Sequence, residues 1–259
     1  MALFESGNPT LSQKIFDRSR TLQAQQQGVM SIRGTMNKFG FLLLMIFASA
    51  AYTWRLYQTG SPNLMMTLMM VGVFGGMIFA FIISFKPNLS SYLAPLYALL
   101  EGFFIGGISV IINTAVSEKN PAFGNIVLTA VGLTFGVAFA VFLLYNLRII
   151  KPTQKFKSVI FSATLGIGIF YLITIVLRLF HINLPFMYDS SLLGIGINLV
   201  IVVIAALNLV VDFDMIEQGA EQGAPKFMEW YGAFALMVTI VWLYIEILKL
   251  VARFAGRRN

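Results

Sequence analysis

Seven runs of apolar residues divide most of this chain into segments of membrane-spanning length. About 20 apolar residues are needed to cross the hydrocarbon core of a bilayer. Hydrophobic residues form 58% of the chain and charged residues only 11%, whereas soluble domains are about 25% charged. The sequence therefore predicts an all-α membrane protein with seven transmembrane helices. The runs occupy residues 39–57, 64–85, 92–115, 123–146, 158–180, 191–211 and 227–254.

The polar segments outside these runs divide the chain into three parts. Residues 1–38 are a polar arm expected in the cytoplasm, residues 39–254 are the seven-helix membrane domain, and residues 255–259 are a short basic tail. In the arm, Leu11 and Ile15 share a helical face with other apolar residues. That pattern fits either an amphipathic helix on the membrane surface or an unstructured tail. No cleavable signal peptide is expected before the first run.

The distribution of lysine and arginine predicts the orientation. These residues are concentrated in the arm and in the loop after the fourth run, which indicates a cytoplasmic amino terminus. The net charge of +7 is therefore explained by topology, and no nucleic-acid partner is expected. Seven crossings would put the carboxyl terminus outside, whereas the basic residues that follow Lys249 favour the cytoplasm. The last segment either spans against this rule or re-enters the membrane and returns.

The inventory of reactive side chains excludes most enzyme chemistry. His181 is the single histidine and there is no cysteine. A histidine-rich metal site, a thiol nucleophile and a Ser-His-Asp set within the helices are therefore excluded. We expect a protein that is not an enzyme and that has no cofactor.

Two carboxylates stand out because they lie in or beside apolar runs. Glu246 lies within the last run, and Asp212 directly follows the sixth. An acid at membrane depth is costly unless it is paired, protonated or facing water, so such acids are functional candidates. A turn joins the two runs and makes them neighbours. Two adjacent carboxylates would share one proton and would also suit calcium. The sequence predicts a pair at Asp212 and Glu246 that senses protons and binds calcium.

Other polar residues within the runs leave two interpretations open. Glu101 either bonds neighbouring helices together or lines an ion path, and Asn208 has the same two interpretations. After Asp212, the acidic residues Asp214, Glu217 and Glu221 are expected to form a solvated cytoplasmic face.

Small residues recur four positions apart in four of the runs, a spacing that lets helix backbones approach closely in lipid. We expect each of these pairs to lie at a helix contact. The pairs are Gly72 and Gly76, Gly102 and Gly106, Gly132 and Gly136, and Ser162 and Gly166.

Three short motifs occur in a characteristic order: LLEG at residues 99–102, LVVDF at residues 209–213 and LYIEI at residues 243–247. With the seven-segment plan and the basic arm, they make the chain resemble the Bax-inhibitor-like (transmembrane BAX inhibitor motif) family, in its bacterial branch. The resemblance implies a seven-helix bundle with the last helix central. It also implies a multi-pass protein of the bacterial inner membrane.

The resemblance further implies a function. Some members of the family are described as pH-sensitive calcium leak channels that use a pair of aspartates latched by an arginine. Asp212 matches the first aspartate, Glu246 matches the second, and Lys86 is the nearest counterpart of the arginine. The expected partners are then the lipid bilayer, calcium and protons. The alternative is a non-transporting regulator that binds a membrane protease or another membrane protein, or that acts in stress and cell-death signalling.

Overall fold

Seven α-helices make up most of the chain, whose computed structural model describes residues 28–121, 125–182 and 190–257. Each helix is long and apolar enough to cross a membrane, which confirms the predicted all-α architecture. The amphipathic pattern in the arm lies outside the described residues. The helices are α1 (Ile32–Gln58), α2 (Pro62–Phe85), α3 (Ser90–Lys119), α4 (Ile126–Asn146), α5 (Gln154–Leu179), α6 (Leu192–Glu221) and α7 (Met228–Arg257).

Side-chain caps set the first residues of several helices. The hydroxyl of Ser31 accepts a hydrogen bond from the Gly34 amide at 3.0 Å, and Thr153 caps α5 in the same way. These caps satisfy backbone N–H groups that have no partner within the helix. Because Ser31 is such a cap, α1 begins at Ile32, seven residues before the first apolar run begins at Phe39.

The shape of α7 bears on whether the last segment spans the membrane or re-enters it and returns. It is an uninterrupted helix of 30 residues, whereas a re-entrant segment must turn back within the membrane. It is also the most enclosed helix, since 67% of its most apolar stretch is buried. That burial agrees with the central place that the family resemblance implied for the last helix.

The helices belong to two compact units. Of the described residues, the α1–α3 unit comprises 28–111 and Asp212–Val238. The α4–α5 unit comprises those of 112–211 and 239–257. Helices α6 and α7 each contribute one part to either unit.

Glycines bring the backbones of the α1–α3 unit together. A Cβ atom at Gly106 of α3 would lie 2.6 Å from the Ala50 carbonyl of α1, and one at Gly102 would meet Ile46 and Ser49. On the other side of α3, Gly72 of α2 faces the Leu100 carbonyl. The expected close approach is confirmed for Gly72 and for both glycines of α3.

The glycines of α4 and α5 are not used in this way. No described atom outside the local backbone lies within 4 Å of a Cβ built at Gly132, Gly136 or Gly166. The prediction that these glycines lie at helix contacts is therefore wrong, because their side of the helix is open. Large apolar side chains are also exposed on these helices, for example Phe139 at 61% and Leu172 at 62%. Such surfaces are compatible with lipid, and we assign them to the bilayer.

Candidate functional site

The carboxylate of Glu246 lies at the centre of a buried polar cluster in the α4–α5 unit. Its side chain is 2% exposed. Oε1 accepts hydrogen bonds from the Lys249 ammonium at 2.6 Å and from the Tyr171 hydroxyl at 2.9 Å. Oε2 accepts one from the Asn198 side-chain amide at 3.0 Å. Both oxygens are therefore satisfied, and one of the partners carries a full positive charge.

Three helices supply this cluster. Glu246 and Lys249 are three residues apart on α7, a spacing that puts them on one face of the helix. Tyr171 comes from α5 and Asn198 from α6. The Lys249 ammonium also donates to the Tyr171 oxygen at 3.0 Å and lies 4.9 Å from the centre of its ring. Lysine, tyrosine and glutamate thus form a closed set of contacts in which each touches the other two.

The cluster explains how a glutamate can lie within a membrane-length helix. A buried carboxylate is tolerated when it is paired and its remaining lone pairs are hydrogen-bonded. Chemically, the arrangement can bind a proton or exchange one cation for another at Glu246, since the ammonium of Lys249 is itself a tethered cation. The Lys249 side chain is 32% exposed, so this end of the ion pair is accessible from outside the helix packing.

Asp212, the other predicted member of the carboxylate pair, lies in the α1–α3 unit. It is fully buried, with 0% exposure. Asn198, which contacts Glu246 from α6, precedes Asp212 by fourteen residues in the sequence. The side chains that contact Glu246 are thus those of Lys249, Tyr171 and Asn198. The pairing of Glu246 with Asp212 stays a prediction.

Asp214 differs from its expected surroundings. It is 8% exposed, and its Oδ2 accepts a hydrogen bond from the Gln218 side chain at 2.6 Å. The prediction of a solvated face is wrong for Asp214, because it lies on a buried side of α6. It is right for Glu221, which is exposed at the end of that helix.

Glu101 lies between two helices of the α1–α3 unit. It is hydrogen-bonded to Tyr97 one turn earlier on α3, and its Oε2 would lie 3.3 Å from a Cβ at Gly76 of α2. Tyr97 in turn packs edge-on against Phe234 of α7, with ring centres 5.0 Å apart. These contacts place Glu101 against α2, and both of its interpretations stay open.

Asn208 and Lys86 have unrelated surroundings. The Asn208 amide donates to the Thr164 hydroxyl at 2.8 Å and to the Ile204 carbonyl at 2.9 Å, so it links α6 to α5. Lys86 is exposed at the end of α2, and no ion pair joins it to another described residue. The latch at Lys86 therefore stays a prediction.

Another buried carboxylate, Glu229, was not singled out as a site from the sequence. It is 0% exposed at the start of α7 in the α1–α3 unit. Its Oε1 accepts from the Ser31 amide at 3.0 Å, the Ser31 hydroxyl at 2.9 Å and the Lys226 ammonium at 2.7 Å. Its Oε2 accepts from Lys38 of α1. The spacing of Lys226 and Glu229 is visible in the sequence, but Ser31 is 198 residues away.

Within the described ranges, no three histidine or acidic side chains come together as a metal site would require. The predicted binding of calcium at Asp212 and Glu246 therefore stays a prediction.

Comparison with protein families identifies the chain. A family model described as Bax inhibitor 1 like matches residues 8–256. The chain belongs to this family. Comparison with curated proteins and with solved structures gives no match. The protein is accordingly a multi-pass, Bax-inhibitor-like membrane protein. Glu246 lies in LYIEI, one of the three motifs that carry the resemblance to this family.

Proposed function

We propose that this Bax-inhibitor-like protein is a pH-sensitive cation leak channel of the bacterial inner membrane, with calcium as the permeant ion and a cytoplasmic amino terminus. It is not an enzyme in this proposal and needs no cofactor. One observation carries the proposal. Glu246, 2% exposed within a membrane-length helix, is neutralised by a tethered cation, Lys249, at 2.6 Å.

The proposed control follows from competition for the Glu246 carboxylate. Lys249 holds the carboxylate in the resting arrangement. A proton neutralises Glu246 and releases Lys249, whereas an incoming cation must replace the ammonium. Both events change the charge in a buried site, where electrostatic interactions are strong. Lys249 then supplies the positive charge that the family resemblance led us to look for at Lys86.

The function is tested by measuring calcium flux into liposomes that contain the purified protein, between about pH 6 and about pH 8. We expect the wild-type flux to depend on pH. With Glu246→Gln, whose amide oxygen can still accept from Tyr171 but which cannot ionise, we expect the ratio of the two fluxes to fall to about 1. Glu221→Gln, at an exposed position on α6, is the matched control and should retain the wild-type profile.

The pairing of Asp212 with Glu246 is tested in the same assay. If the two carboxylates share one proton, Asp212→Asn and Glu246→Gln should each remove the same pH-dependent step, and the double variant should add nothing. Additive changes would show that the two acids act independently. An unchanged pH profile in Glu246→Gln would contradict the role given to Glu246.

Absence of flux at every pH would favour the second function, a regulator without transport that binds a membrane protease or acts in stress or cell-death signalling. The observation that favours it is the firm attachment of the end of the polar arm, at Ser31, to the buried Glu229. A partner that binds the arm would then act on a segment that is joined to the membrane domain.

A further inference from the structure

The chain segment that leads into α1 is fastened to the turn between α6 and α7. The Met30 amide donates to the Ala224 carbonyl at 2.7 Å, and Val29 forms an isolated antiparallel bridge with Pro225. A glycine with positive φ precedes the bridge in each of the two segments: φ is +113° at Gly28 and +68° at Gly223. Residues with a Cβ rarely adopt this conformation. The chain turns sharply into the bridge from both sides.

One isolated bridge is not enough to hold two segments together, because even a complete two-stranded hairpin is marginal in water. The additional contacts come from Glu229, which lies directly after the turn. Its carboxylate accepts from the amide and the hydroxyl of Ser31, the residue after the bridge, and from Lys38 and Lys226. We call Ser31, Lys38, Lys226 and Glu229 the clasp.

The clasp combines two favourable electrostatic effects. The carboxylate lies at the amino-terminal end of α1, where unpaired N–H groups and the helix dipole favour negative charge. It also closes two ion pairs. Gly34 makes room for it, since a Cβ at that position would overlap the Glu229 carboxylate. Both ion pairs depend on the negative charge of Glu229, and the hydrogen bonds from Ser31 are stronger to a carboxylate than to a neutral acid.

The charged groups that face Glu229 come from two elements. Helix α1 contributes Lys38, which also lies 5.4 Å from the ring centre of Trp230, and the turn contributes Lys226. Helix α3 contacts the turn through the Ser90 hydroxyl, which donates to the Phe227 carbonyl at 3.2 Å and carries no charge. Neutralising Glu229 thus removes the anion that both ammonium groups contact.

We infer that the clasp is a charge-dependent fastener for the end of the polar arm. While Glu229 is ionised, the clasp holds residues 28–31 against the α6–α7 turn. When Glu229 is neutralised by a proton, residues 28–31 are released from the turn. The inference does not depend on transport, so it holds whether the protein conducts ions or regulates a partner.

The chain has no cysteine of its own, which permits a direct test in the full-length protein. Val29→Cys and Pro225→Cys together put two thiols at the bridge, within the range of Cα separations that a disulfide spans. We expect rapid cross-linking at neutral pH with a mild oxidant. Adding Glu229→Gln, which mimics the protonated acid, should slow cross-linking by about tenfold or more, because the segment then leaves the turn for most of the time. Glu221→Gln is the matched control and should leave the rate unchanged.

Two milder variants keep the test decisive if Glu229→Gln does not fold. Ser31→Ala removes one donor and Lys38→Gln removes one ion pair, and both leave Glu229 in place. Each should slow cross-linking by an intermediate factor, while circular dichroism and gel filtration show an intact fold. Equal cross-linking rates in folded Glu229→Gln, or in both milder variants, would overturn the inference.

Discussion

Replacing Lys249 with methionine while Glu246 is kept should destabilise the α4–α5 unit by about 3 kcal/mol. Methionine fills a similar volume but removes the charge that neutralises the carboxylate. Breaking a buried ion pair by removing one partner costs about 3–5 kcal/mol, because an uncompensated charge remains. We expect the lower end of that range, since Lys249 is 32% exposed and water screens part of the interaction. The measurement is the free energy of unfolding in a denaturing-detergent titration.

The double variant Glu246→Gln with Lys249→Met separates this explanation from a loss of packing. If the cost comes from an unpaired carboxylate, neutralising Glu246 should recover most of it, and the double variant should be more stable than Lys249→Met alone. If the cost comes from lost contacts between Lys249 and the Tyr171 ring, the two changes should add. Additivity would contradict the ion-pair explanation for this cluster.

Replacing Gly106 with valine should disrupt the packing of α3 against α1, at a cost of about 3 kcal/mol. The first added atom would lie 2.6 Å from the Ala50 carbonyl and 2.9 Å from its Cα. Both obstacles are backbone atoms, which cannot move aside as a side chain can. Overpacking costs about 1–3 kcal/mol and occasionally more, and this site is at the severe end. A lowered thermal unfolding midpoint in detergent is the expected result.

Gly132→Val provides the matched control for Gly106→Val. Both glycines lie within membrane-length helices and both substitutions change helix propensity in the same way. No described atom outside the local backbone lies within 4 Å of a Cβ at Gly132, so this variant should unfold within a few degrees of the wild type. Equal losses in the two variants would show that propensity, not close approach, decides stability here.

The seven helices could be predicted because each is an apolar run that exceeds the thickness of the hydrocarbon core. The last apolar run carries the most charges of the seven, yet the helix it forms, α7, is the most buried helix. Its two acidic residues are not exposed interruptions. Glu229 is paired with Lys38 and Lys226, and Glu246 is paired with Lys249. A hydropathy profile counts each charged residue as unfavourable and takes no account of ion pairs.

The candidate site could be predicted only in part. An acid inside an apolar run pointed to Glu246, and Lys249 three residues later could have been found from helical spacing. Tyr171 and Asn198 could not, because they lie on other helices and the sequence does not say which helices are neighbours. The same limit explains why a four-residue spacing of small residues was informative for Gly102 and Gly106 but wrong for Gly132 and Gly136.

Helices α6 and α7 each contain 30 residues, and α4 contains 21. At 1.5 Å per residue these lengths are about 45 Å and about 32 Å, whereas the hydrocarbon core is about 30 Å thick. Helices of 30 residues must therefore tilt or extend into the lipid headgroups, while α4 matches the core without either. Bilayers of different thickness should consequently change the depth of the α6–α7 turn more than that of α4. The clasp lies at that turn, so the attachment of the arm should depend on the length of the lipid acyl chains.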